Sequence, residues 1–365
     1  MTASISPEVR ALMRPAAAAL EPYDPAFKPT RINLSANENT YPMPPAVRTA
    51  IDAALAATPT NRYPVALSDE LRSAIAEWHG VSADRVIVGN GGDELLFNLF
   101  LAFGGPARPL VTCPPTFSVY ALYAGLVDTP VTSVERDHDT YELDVDAVVE
   151  AARTANLVIV TTPNNPTGGL FPHEGIARVC EACPGIVLAD EAYIEFGGEG
   201  ASCEGLLDTY DNLAVLHTMS KAFQMAGVRL GYVLADPSVV AALAAVRQPY
   251  SVNVLSQAAA LVGVRMRDEF APSIARIVSE RSRLAAGLDR LAPLGVRTWP
   301  SAANFLLVRL PNAAQVRARL RDECSILVRD FSSTPGLADC LRVTVGTPEE
   351  NDEVVAAITS ILSEA

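Results

Sequence analysis

Short, almost wholly apolar runs alternate with helix-like stretches through the first two thirds of the chain. That alternation constrains the fold more than any other feature. Val86–Gly89, Leu110–Cys113, Leu157–Val160, Ile186–Asp190, Leu213–His217 and Gly231–Ala235 read as strands, and several have no polar face. A strand that is apolar on both sides has to be covered on both sides, as in a mainly parallel sheet between helices. Beyond Pro237 the texture changes. Helical stretches rich in Ala, Arg and Leu occupy roughly 237–247 and 253–291. Strand candidates follow at Phe305–Val308, Ile326–Val328 and Leu341–Val345, with an amphipathic helix from about Pro348 to Leu362. The pattern predicts a large α/β domain over 31–245 and a smaller α+β domain over 246–365, with residues 1–30 packing across the seam.

Composition narrows the partners. A chain of 365 residues with 49% apolar side chains can bury a sizeable core. The formal charge of −14 gives no basic footprint for nucleic acid or an anionic membrane. No apolar run reaches the ~18 residues of a membrane span. The N-terminus also lacks the basic and apolar regions of a secretory signal, so a cytoplasmic protein is expected. Six cysteines are scattered along the chain, with no disulfide framework. Cys180 and Cys183 form a lone C-x-x-C without the further ligands a zinc site needs, and read as ordinary cysteines. No metal is expected.

Lysine use is the sharper signal. Among 28 basic residues only Lys28 and Lys221 are lysines. Arginine cannot form an imine, because it stays protonated. Lys28 sits in a polar, proline-rich stretch that asks for nothing special. Lys221 lies among apolar and small residues in HTMSKAFQMAG, where a lysine without a partner or a task is uncommon.

Ligands of open α/β sheets bind beyond the carboxyl ends of the strands, so polar groups there carry most information. Leu157–Val160 leads toward Asn165, Ile186–Ala189 ends in Asp190, and Leu213–His217 ends in Ser220-Lys221. Gly89-Asn-Gly-Gly-Asp93 opens a helix after a strand, which suits an anion at the helix N-terminus. A lysine for an imine and an aspartate for a cationic ring nitrogen are two parts of the set. An asparagine and Tyr193 for a phenolate oxygen, with a glycine-rich phosphate cradle, complete it. Together they describe one cofactor, pyridoxal 5'-phosphate.

These residues occur in an order that resembles the fold-type-I pyridoxal-phosphate aminotransferases over nearly the full chain, and most of all the histidinol-phosphate aminotransferase family. The motifs carrying the resemblance are Leu34-Ser-Ala-Asn-Glu-Asn39, Arg62-Tyr-Pro64, Gly91-Gly-Asp-Glu94, Cys113-Pro-Pro-Thr-Phe117, Pro163-Asn-Asn-Pro-Thr-Gly168, Asp190-Glu-Ala-Tyr193, Ser220-Lys-Ala-Phe223, Gly227-Val-Arg229 and Cys340-Leu-Arg-Val-Thr-Val-Gly346. The resemblance implies a mainly parallel seven-stranded sheet in the large domain. It assigns Lys221 as covalent tether and general base, Asp190 to the ring nitrogen, and Asn165 and Tyr193 to the phenolic oxygen. Gly92, Asp93, Ser220 and Arg229 would hold the phosphate, and Phe117 would stack on the ring. Tyr63 would reach the phosphate of a neighbouring subunit, which implies a homodimer with shared sites. Arg342, Arg329, Tyr23 and Asn253 match substrate-side positions. The implied reaction moves an amine between glutamate and imidazole acetol phosphate, giving histidinol phosphate for histidine synthesis. An aromatic-amino-acid aminotransferase, a threonine-phosphate decarboxylase-like enzyme and a regulatory module without turnover are the alternatives.

Overall fold

The computed structural model describes residues 5–18, 20 and 29–364. Its strands in chain order are β1 (Ile32–Leu34), β2 (Val86–Gly89), β3 (Leu110–Thr112), β4 (Val131–Ser133), β5 (Leu157–Thr161) and β6 (Ile186–Asp190). They continue with β7 (Leu213–Thr218), β8 (Gly231–Ala235), β9 (Arg297–Thr298), β10 (Phe305–Arg309), β11 (Ile326–Asp330) and β12 (Cys340–Thr344). Seven strands form one sheet in the order β2-β8-β7-β6-β5-β3-β4. From β7 to β4 every neighbour is parallel, and β8 runs antiparallel between β7 and β2.

The apolar runs behave as the doubly covered strands their composition requires. Along β7, Leu213 and Val215 face one cluster of buried side chains, while Ala214 and Leu216 face the other. The second cluster includes Leu95, Leu96, Leu99 and Phe100 of the helix Gly92–Phe103 and Tyr120 of the helix Val119–Leu126. Some helices start at a capping side chain. Asp236 caps Pro237–Val246, and Thr347 with Glu350 forms a reciprocal capping box for Pro348–Ser363.

A second sheet, in the order β1-β11-β12-β10-β9, forms from the C-terminal part of the chain and one early strand. β1 pairs parallel with β11, Ile32 opposite Ile326 and Leu34 opposite Val328. The expected start of the large domain at residue 31 is therefore corrected, since the backbone hydrogen bonds of residues 32–34 join them to the small sheet. The expected continuous helical stretch over 253–291 also divides, into Val254–Arg265 and Ala271–Asp289. The first of these packs on the helices Pro45–Ala57 and Asp69–His79. Residues 29–37 pass from the small sheet to the rim of the large one, which places backbone from both parts beside the site.

Candidate active site

Parallel strands β5, β6 and β7 end together, and three side chains meet there because the register aligns them. Asp190 is the last residue of β6, level with Thr161 of β5 and Leu216 of β7. It is buried, 4% exposed. The Tyr120 hydroxyl donates to Asp190 Oδ2 at 2.6 Å and lies 2.8 Å from Thr161 Oγ1. The Ala192 amide donates to Oδ1 at 3.1 Å. Burial raises the Asp190 carboxyl to about 6, against the pull of these two donors. It is therefore ionised at neutral pH and poised to meet a cation.

Lys221 follows β7 on the same rim. Its Nζ donates to Ala36 O at 2.9 Å and stands 6.0 Å from the centroid of the Tyr193 ring. Burial first, then the Arg342 guanidinium, lowers its ammonium to about 8. An appreciable fraction of the amine is then uncharged near neutral pH, as a nucleophile and base requires. Asn37 Nδ2 donates to the Tyr193 hydroxyl at 3.0 Å, and Tyr193 packs edge-on against Phe305. Asn165, 8% exposed, accepts from Arg342 Nη1 at 2.5 Å.

The helix Gly92–Phe103 opens at this rim with free amides and the positive end of its dipole. Arg229 reaches the same place. Its Nη1 donates to Ser220 Oγ at 3.4 Å and its Nη2 to Asp93 Oδ2 at 3.3 Å. Arg229 holds φ +58, a conformation that a bulky residue keeps only under constraint from its surroundings. Gly91, at φ +83, leaves room for it, because a Cβ there would lie 2.5 Å from Arg229 Nη2. Gly231 likewise permits close approach: a Cβ there would lie 2.6 Å from the Gly92 amide nitrogen. Amides, a hydroxyl and a guanidinium converge here, donors of the kind that suit a phosphate monoester. With a carboxylate for a ring nitrogen and an amine for an aldehyde at the same rim, the residues fit pyridoxal phosphate.

Phe117 lies half-buried at the rim, edge-on to Tyr120 with centroids 5.6 Å apart. Arg342 donates to Ser35 O at 2.6 Å as well as to Asn165. Arg329 of β11 stands directly opposite Arg342 of β12. Two like charges paired across strands favour an anion between or beside them. Tyr63 is 82% exposed, stacks on Tyr250, and has no hydrogen bond to the rim among the described residues. Asn253 caps its helix, accepting from the Leu255 and Ser256 amides and donating to Ser256 Oγ. Tyr23 lies outside the described residues.

Sequence reasoning missed Tyr120 and Asn37. Tyr120 looks like any aromatic on a core helix until Asp190 is seen beneath it. Asn37, within a motif already noted, is tied by Thr344 Oγ1 and by Asn304 Nδ2 to the small sheet. Its φ of +55 is in a region asparagine enters more readily than most residues, a conformation the sequence alone does not reveal.

Comparison with known proteins agrees with this fold. The family model described as "Aminotransferase class I and II" matches residues 29–358. The chain is 42% identical over 341 residues to the histidinol-phosphate aminotransferase of Thermococcus gammatolerans, covering 93% of this chain and 95% of that relative. It is 41% identical to that of Thermobifida fusca over 337 residues, covering 90% and 89%. The crystal structure of the histidinol-phosphate aminotransferase from Sinorhizobium meliloti with pyridoxal 5'-phosphate superimposes with a TM-score of 0.86 at 25% identity, covering 96% of this chain and 98% of that one.

Proposed function

The chain belongs to the class I and II aminotransferases, within them to the histidinol-phosphate aminotransferase family, and from that premise we propose that it transfers the amine of glutamate to imidazole acetol phosphate, reversibly giving 2-oxoglutarate and histidinol phosphate. The observation that carries this reading is the placement at one rim of Lys221, its Nζ 6.0 Å from the Tyr193 ring, and the buried Asp190 that ends β6. Arginine could not replace the lysine.

Pyridoxal phosphate supplies, when bound, an aldehyde that condenses with amines and a ring that takes up carbanion charge. The chain supplies everything else. Asp190 would face the ring nitrogen and hold a proton there. Tyr193 and Asn165 would hold the phenolic oxygen, and Phe117 would cover the ring face. The Gly92 and Asp93 amides, Ser220 and Arg229 anchor the phosphate.

Lys221 Nζ holds the cofactor and, once released, moves a proton at the substrate's α-carbon. One amine serves both tasks, so no second base is required. Arg342 binds the carboxylate of glutamate, and Arg329 the phosphate of the second substrate. Asn253 is proposed on the substrate side from the resemblance, although its amide already caps a helix.

We assign Tyr63 to the phosphate site of a second copy. Tyr63, which stacks on Tyr250, and Val65, Leu67 and Leu255 are exposed apolar side chains that a homodimer would cover. Among the described residues no helix is long and apolar enough to cross a membrane. We place the enzyme in the cytoplasm, in keeping with six free cysteines.

The deciding measurement is a coupled glutamate-release assay on histidinol phosphate and phenylalanine. Strong preference for histidinol phosphate is expected, and preference for phenylalanine overturns the substrate assignment. In the same assay Arg329→Ala should impair the phosphorylated substrate more than glutamate.

A further inference from the structure

On the reverse face of the large sheet the same strands carry a second polar cluster that the reaction above does not use. His217 lies on β7, four residues before Lys221, and His79 closes the helix Asp69–His79. Glu204 opens a short 3-10 turn, Glu204–Leu206. His79 Nδ1 is 2.7 Å from Glu204 Oε2, and His79 Nε2 is 2.9 Å from the Tyr232 hydroxyl. His217 Nε2 is 4.0 Å from the same Glu204 oxygen and 3.7 Å from Glu191 Oε2. One nitrogen from each imidazole and one Glu204 oxygen all lie within 4.8 Å of one another.

A second observation points to a ligand. The His217 side chain is 4% exposed, and its Nε2 is buried without a hydrogen-bond partner. A buried imidazole nitrogen left this way is costly unless something meets it. The nitrogen stands 3.7 and 4.0 Å from two carboxylate oxygens, beyond hydrogen-bond distance of either.

We propose that His79, His217 and Glu204 form a binding site for one divalent transition-metal ion of the zinc class, with Glu191 as the second carboxylate that balances its charge. Two imidazoles and a carboxylate are the donor types such ions select. Ligand atoms about 2.0–2.1 Å from a tetrahedral zinc stand roughly 3.3 Å apart. The observed 2.7 and 4.0 Å bracket that spacing, and all three ligand atoms lie within 4.8 Å of one another.

The outer contacts are those a metal site needs. Tyr232 on Nε2 leaves Nδ1 of His79 as the ligating nitrogen. Ser202 Oγ and the Cys203 amide fix Glu191 at 2.6 and 2.7 Å. Glu204 is 40% exposed and gives the ion its way in from solvent. The bound ion would tie a helix end and a surface turn to the strand that leads to Lys221.

The test uses the purified holoenzyme with zinc, then cobalt as a spectroscopic probe, and reads metal content rather than turnover. Close to one zinc per chain is expected after dialysis, with the visible absorption of tetrahedral cobalt. Saturating zinc should raise Tm by roughly 3 °C. Glu204→Gln, on the solvent side and so least disturbing to the fold, should weaken binding at least roughly tenfold, and His217→Asn more. His138→Gln, which alters an exposed histidine, should retain it. Stoichiometry near zero in the wild type overturns the proposal. So does zinc held equally well by Glu204→Gln, because the ion then sits elsewhere. If His217→Asn fails to fold, the Glu204 variant and the cobalt spectrum decide.

Discussion

Asp190 and Glu191 are consecutive residues at the end of β6, and they serve opposite faces of one sheet. Asp190 meets Tyr120 and Thr161 on the face covered by the helix Gly92–Phe103, at the rim where Lys221 emerges. Glu191 meets Ser202 and the Cys203 amide behind the sheet, near His217. Burial raises both carboxyls, to about 6 and about 7. What differs is the company. The front group lies at an anion cradle beside a lowered lysine, whereas the rear group is satisfied by a hydroxyl and an amide. Raised carboxyls alone therefore do not identify the reactive face, and the convergence of complementary partners does.

The separation can be broken experimentally. Lys221→Arg should abolish transamination by several orders of magnitude with circular dichroism unchanged, because no other amine replaces tether and base. The same variant should not be trapped by borohydride, whereas the wild type, yellow as purified, should bleach. Near-normal turnover would break the front-face assignment outright.

Next in size, Asp190→Asn should lower kcat/KM by roughly 10²–10³-fold, the usual range for losing a preorganised charge. Its counterpart behind the sheet is Glu195, whose carboxyl burial pushes up to about 8. Glu195→Gln should leave kcat/KM within about twofold, since a single change without reactive contacts has little route to the chemistry. If the two substitutions reduced turnover alike, the faces would not be separable.

Tyr120→Phe sharpens the comparison further. Losing one hydrogen bond to a charged group should cost about 1.5–3 kcal/mol in chemical denaturation. It should also raise the Asp190 carboxyl further, since Tyr120 is the main group holding it down. The acid limb of the kcat/KM profile should then move to higher pH.

In the pH dependence of stability the signs differ between the two faces. Lys221 is lowered to about 8 from 10.5, so between those values the unfolded chain binds more protons. Cofactor-free protein should thus gain stability as pH rises from about 8 toward 10.5, and Lys221→Met should remove that gain. Glu195 is raised from 4.5 to about 8, so between them the folded chain binds more protons. Its contribution falls as pH rises through that window, and Glu195→Gln should flatten the fall. Denaturant midpoints across pH measure both.

Much of the large sheet was legible because each of its inner strands is a run of apolar residues bounded by turns. β4 was not, since all three of its residues are exposed on a sheet edge and carry no apolar signal. β1 was missed because a three-residue strand owes its existence to β11, almost three hundred residues away. Lys221, Asp190, Asn165 and Tyr193 could be named from their neighbours in sequence. Tyr120 could not, because its importance is a 2.6 Å contact with a residue seventy positions distant. His79, Glu204 and His217 carry no spacing that announces a site, and only the fold brings them together.

By itself the sequence determined the layered α/β class, the scarce lysine and the polar strand ends, because hydrophobic period, turn chemistry and side-chain pKa are local properties. The tertiary structure decided which face of the sheet each of two adjacent carboxylates serves, and it joined β1 to a distant sheet. It also set two arginines opposite each other at the rim. Those outcomes depend on register and on the route of the chain around the sheet, which arise from many long-range contacts forming together and leave no mark on any single stretch of residues.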